Sequence, residues 1–146
     1  MLRWLLLSGV VLASAGPAYS AGRYYCAVDD GNVKLSLDVG FEEAAARKLN
    51  HFRGALIAKA AAVPSGFKTL MLDSSQLAHY WSYDGDLRLE VFARGEDQDA
   101  GKSFDLIIMS SAKDGTAPMS GSYVLTFDVP DAKPLELKGP LTCSVK

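Results

Sequence analysis

The chain has 146 residues, with 15 basic and 17 acidic side chains and a formal net charge of −2. A mildly acidic surface of mixed sign argues against nucleic acid or an anionic membrane as a main partner. The length suits one domain with one core.

Residues 1–20 read as an export signal. Arg3 supplies the positive start, and Trp4 to Ala13 form an apolar run too short to span a bilayer comfortably. Ser14, Ala15, Gly16 and Pro17 follow, and Ala18-Tyr19-Ser20 places small residues where a signal peptidase reads them, so cleavage is expected before Ala21. The alternative is a buried N-terminal helix or a membrane anchor. A lipid anchor is not expected, because no Cys stands in a lipobox after the apolar run. No later stretch reaches the roughly eighteen unbroken apolar residues of a membrane helix. The expected product is residues 21–146, a soluble single β-rich domain that is periplasmic or secreted and not membrane-embedded.

Period-two alternation then dominates. Arg23–Val28 precedes the turn Asp29-Asp30-Gly31-Asn32, and Val33, Leu35, Leu37, Val39 and Phe41 alternate with Lys34, Ser36, Asp38 and Gly40. These two runs predict an antiparallel hairpin. Residues 42–49 carry acids early and bases late, which allows one short helix there. Strands are expected near 51–59 and 67–72. Gln76–Tyr83 and Asp86–Arg94 flank Asp84-Gly85, a strong hairpin signal. Phe104–Ser110 and the alternating Tyr123, Leu125, Phe127 and Val129 follow, and the last strand is Leu135–Val145, with a break allowed at Gly139-Pro140. Roughly seven to nine short antiparallel strands imply an all-β sandwich or a small β-barrel.

Cys26 and Cys143 are the only cysteines. In an oxidising compartment two lone thiols usually pair, so a disulfide is expected that brings the first and last strands together; the alternative is two separate buried thiols. Two Cys and two distant His lack any zinc spacing, so no metal and no cofactor are expected.

No catalytic constellation emerges. Gly95 and Gly101-Lys102-Ser103 resemble a phosphate loop, but five residues separate the glycines where four are needed, and Glu96, Asp97 and Asp99 would repel phosphate. The same acids lack calcium-loop spacing and read as a solvated hairpin tip. Asp29, Asp30, Asp84 and Asp86 read as turn residues. His51 and His79 have no Cys or carboxylate at motif spacing, and no Gly-x-Ser-x-Gly elbow exists. Tyr80, Trp81 and Tyr83 form the most informative patch. On a strand, Trp81 and Tyr83 share one face. Buried, they pack as core, the commoner outcome for such a pair; exposed, they form a surface for a sugar or a protein.

Tyr24-Tyr25-Cys26, Leu77-Ala78-His79-Tyr80-Trp81, Gly121-Ser122-Tyr123-Val124-Leu125 and Leu137 to Ser144 span most of the exported chain. In these features it resembles a loose set of small periplasmic proteins of unknown function from α-proteobacteria. Tyr24-Tyr25-Cys26 and Ser120-Gly121-Ser122-Tyr123 also resemble periplasmic inhibitors of c-type lysozyme. In that family a Ser-Gly loop enters the enzyme cleft, although here one residue fewer separates Gly from Tyr. That likeness adds Ser120 and Ser122 to Trp81 and Tyr83 as candidate binding residues.

The expected function is therefore non-enzymatic: an envelope binding or interaction module whose partner is an envelope protein or glycan. The alternatives are inhibition of a cell-wall-degrading enzyme such as lysozyme, or a structural envelope role without a dedicated site. Intact-mass analysis of the exported protein under non-reducing conditions should give a chain starting at Ala21 with no free thiol. Retention of residues 1–20, or two alkylatable thiols, would contradict this reading.

Overall fold

Alternation of apolar and polar side chains resolves into nine β-strands over most of the chain. The computed structural model describes residues 22–42, 48–83, 86–112 and 119–145. The strands are β1 (Arg23–Asp29), β2 (Val33–Phe41), β3 (Leu49–Ala58), β4 (Thr69–Asp73), β5 (Leu77–Tyr83), β6 (Asp86–Arg94), β7 (Ser103–Ser111), β8 (Met119–Asp128) and β9 (Leu135–Val145). The expected signal peptide, and residues 43–47 of the helix allowed at 42–49, lie outside the described residues. The flanks of that segment are not helical: the Glu42 N–H donates to the Lys48 carbonyl, and Leu49 already opens β3.

One sheet contains all nine strands, in the order β4-β3-β2-β1-β9-β8-β7-β6-β5. It consists of two meanders, β1 to β4 and β5 to β9, joined where β1 pairs with β9. Every neighbouring pair is antiparallel. The two outermost strands, β4 and β5, are an even number of reversals apart and therefore run in the same direction. Only the 3-10 turn Ser74–Gln76 separates them. They act as two halves of one jogged strand. The first half pairs with β3 and the second with β6. Asp73 fixes the jog, since its carboxylate accepts the Ser75 N–H at 2.8 Å while Gln76 Oε1 accepts the Asp73 N–H at 3.0 Å.

The sheet is rolled into a nearly closed barrel. Side chains on its concave face meet across the interior: Tyr24 and Ser82 hydroxyls lie 3.0 Å apart, and the Phe41 and Tyr80 rings 6.0 Å apart. A single rolled sheet, rather than two stacked ones, resolves the sandwich-or-barrel alternative. The expected adjacency of the first and last strands holds. Cys26 stands directly opposite Cys143, and the two form a disulfide with Cα atoms 4.0 Å apart, both buried. It closes a separation of 117 residues. In the chain-entropy model such a loop contributes about 4–5 kcal/mol as an upper figure.

Several expected boundaries shift. Phe67 belongs to the 3-10 turn Ser65–Phe67 and β4 starts at Thr69, because Phe67 turns inward to stack on Phe127 and meet Phe104 edge-on. Gln76 belongs to the jog, not to β5. Gly139-Pro140 does not break β9. β1 pairs with β9 only from Thr142 to Val145, so Pro140 lies where β9 has no neighbour on that side and a missing N–H costs nothing.

Polar side chains pin the turns to the core. Asp99 is 7% exposed and accepts from the Gly66 N–H at 2.9 Å and Lys102 Nζ at 2.8 Å. Of the three acids read as a solvated tip, Glu96 and Asp97 are exposed, but Asp99 is a buried clamp between two loops. The Lys102 bond holds its carboxyl below the usual carboxylate range. At β1–β2, Asp30 Oδ1 accepts the Asn32 and Val33 N–H groups, and Oδ2 accepts the hydroxyl of fully buried Tyr123 at 2.7 Å. Gly139 makes this possible, since a Cβ there would lie 2.7 Å from Asp30 Oδ2 and 3.0 Å from the Tyr123 ring.

Burial and the Asp30 bond push the Tyr123 phenol up to about 12. Burial opposes the Asp30 charge, but bonds from Val33, Tyr123 and Asn32 outweigh it and lower its pKa. A carboxyl depressed in the folded state stabilises above its unfolded pKa and loses that contribution as pH falls through the folded value. Tyr123→Phe should therefore cost about 1.5 kcal/mol near neutral pH, the scale of a bond to a charged acceptor. Urea unfolding should show the gap from wild type narrowing below about pH 4, near the ordinary Asp pKa. A gap independent of pH would refute this role for the bond.

Candidate functional site

The hairpin register decides which way the aromatic residues of β5 point. Tyr83 pairs with Asp86 and Trp81 with Arg88, while Leu87 and Leu89 of β6 are buried. Trp81 and Tyr83 therefore stand on the convex face, 45% and 60% exposed. They are not core, which corrects the commoner reading. Tyr80 has the opposite parity and lies at the barrel seam against Phe41.

The same register extends across the sheet. Trp81, Arg88, Met109 and Ser122 form one outward row over β5 to β8. Tyr83, Asp86, Ser111 and Ser120 form the next. All four candidate residues thus share one face, with Ser120 exposed and Ser122 half-buried. Sequence reasoning did not find what lies between them, namely Arg88, Met109, Asp86 and Ser111. Their signal was present, since the hairpin signal in the sequence implies that Tyr83 faces Asp86, and the other cross-strand pairs follow from that register.

The Trp81 and Tyr83 rings lie 6.1 Å apart, tilted by 38°. The Arg88 guanidinium sits 5.5 Å from the Trp81 ring centroid and makes no ion pair with a described residue. A cation over an indole is attracted to the ring face, which holds both side chains in place. Asp86 accepts the Ser111 hydroxyl at 2.6 Å. Two shallow depressions flank Arg88 and Met109. One, of about 300 Å³, is walled by Asp86, Ser110, Ser111 and Ser120. The other, of about 230 Å³, is walled by Trp81, His79, Tyr80, Glu90 and Ile107. Buried Leu89, Ile108, Tyr123 and Leu125 lie beneath, so the face rests on packed strands rather than on loops.

Other candidates fall elsewhere. Ser120-Gly121-Ser122-Tyr123 lies within β8, with Tyr123 inside the barrel, so the loop required by the inhibitor likeness is strand here. His51 Nε2 is 3.4 Å from Asp38, whose carboxylate already holds Arg23 through bonds of 2.9 and 2.7 Å. The Arg23 bond keeps the Asp38 carboxyl below the usual range. His79 is exposed, 3.9 Å from Glu90. Asp105 is pushed up by burial and by Glu90 and Asp128. Among the described residues no group of three or more His, Cys, Asp or Glu is placed to hold a metal, and no helix is long and apolar enough to cross a membrane.

Comparisons with known protein families, with curated proteins and with solved structures give no match to this chain.

Exposed side chains contribute little to stability when replaced, within about 0.5 kcal/mol. The double variant Trp81→Ala/Tyr83→Ala should melt close to wild type, whereas Phe104→Ala should cost about 3–5 kcal/mol. A large loss of melting temperature in the double variant would place the pair in the core after all.

Proposed function

We propose that the chain is an extracytoplasmic, non-enzymatic binding module that engages an envelope component through the convex face of β5 to β8. One observation carries the reading: an exposed Trp-Tyr pair, with Arg88 stacked on the indole and polar residues alongside, is mounted on fully packed strands. Large aromatic side chains and Arg dominate recognition surfaces because they offer contact area at low conformational cost. Rigid strands beneath them reduce the ordering cost of binding. A buried disulfide is compatible with an oxidising compartment and supports a periplasmic or secreted site of action. Inhibition of lysozyme is not favoured, since the segment that would enter the enzyme cleft is held within β8.

Co-sedimentation with purified cell envelopes tests the role without assuming a ligand. Wild-type protein should sediment saturably, and Trp81→Ala/Tyr83→Ala should bind at least about tenfold more weakly, the factor for 1.4 kcal/mol. Equal sedimentation of the two proteins, or none by either, would overturn it and leave a structural envelope role.

A further inference from the structure

We infer that the ligand of this face is a short neutral run of pyranose rings, seated over two adjoining subsites; the inference rests on the binding role proposed above. The two depressions share Arg88 and Met109 as a common wall, so they succeed one another along one direction. At about 230 and 300 Å³ they stand at or below the small end of ligand pockets, roughly 300–1,000 Å³. A stable protein partner needs about 800 Å² per side with an apolar centre. Here the large apolar groups give way within a strand or two to Asp86, Ser111, Ser120 and Thr142.

A pyranose ring has the matching chemistry. Its C–H face is apolar and lies on a π surface, while its hydroxyls radiate from the rim towards donors and acceptors. Trp81 supplies the π surface, and Arg88, lying against it, supplies N–H donors at its edge. Asp86 accepts from Ser111 through Oδ1, which leaves Oδ2 to accept a sugar hydroxyl. Charges alternate along β6 as Asp86, Arg88 and Glu90 and sum to −1, the wrong sign to attract a polyanion and too little to select a polycation. A neutral, hydroxyl-rich ligand fits that pattern.

The test is an NMR titration of the oxidised protein with three neutral probes, chitotetraose, cellotetraose and maltotetraose, each to about 10 mM, tenfold past the millimolar range. At least one should give saturable shifts of the Trp81 indole N–H and the Arg88 Nε–H. Arg88→Ala and Trp81→Ala should weaken that binding about tenfold or more, and Trp81→Tyr should retain most of it. Saturable shifts that spare Trp81 and Arg88 would overturn the site. No saturable shift with any probe would overturn the glycan assignment. In that case, envelope binding still lost in Trp81→Ala/Tyr83→Ala would keep the binding role with another ligand class. Loss of both signals would end both proposals.

Discussion

Four residue pairs, Tyr24 to Ala27 against Val145 to Thr142, hold the two meanders of the barrel together. Every other strand pairing joins neighbours in sequence and closes a short loop at small entropic cost. The β1–β9 contact alone brings the two ends of the domain together. Its stability is built in at one point, where Cys26 faces Cys143 in the same register. A slip of β1 by one residue would turn Cys26 outward, away from Cys143, and expose β1's buried Tyr24 and Val28. The staple thus sets register as well as proximity, and the remaining strands inherit their faces from it.

Most of this was legible in the sequence. Period-two alternation located the strands, and the expectation of export, with two lone cysteines, implied that the ends meet. Three features were not legible from alternation alone. The jog at Ser74–Gln76 splits what looks like two unrelated strands into halves of one wall, because β4 and β5 pair with different neighbours. Asp99 sits among exposed acids, and only the fold brings Gly66 beneath it. For Trp81 and Tyr83, alternation said that they share a face but not which one. That was decided by the residues opposite, Arg88 and Asp86, and it moved the pair from core to surface.

The candidate face owes its form to an uneven division of labour across the sheet. Apart from Ser110, the buried concave side chains from β6 to β8 are apolar or aromatic and closely packed, so the strands cannot flex independently. Convex side chains at the same level are free of that task and carry charge, hydroxyls and exposed aromatic rings. Packing below and chemistry above are two consequences of one alternation.

The jog between β4 and β5 has a consequence for how the chain could be rewired. The start of β1 and the end of β9 lie side by side, since Tyr24 pairs with Val145. A circular permutant opened at Ser74–Gln76 and joined from β9 to β1 would run β5, β6, β7, β8, β9, β1, β2, β3, β4. Its chain order would match its sheet order throughout. The loop closed by Cys26 and Cys143 would shrink to little more than a hairpin, and with it most of the entropy the disulfide removes from the unfolded chain. The worth of that bond is therefore a property of where the chain is cut, not of the two sulfur atoms or the barrel around them.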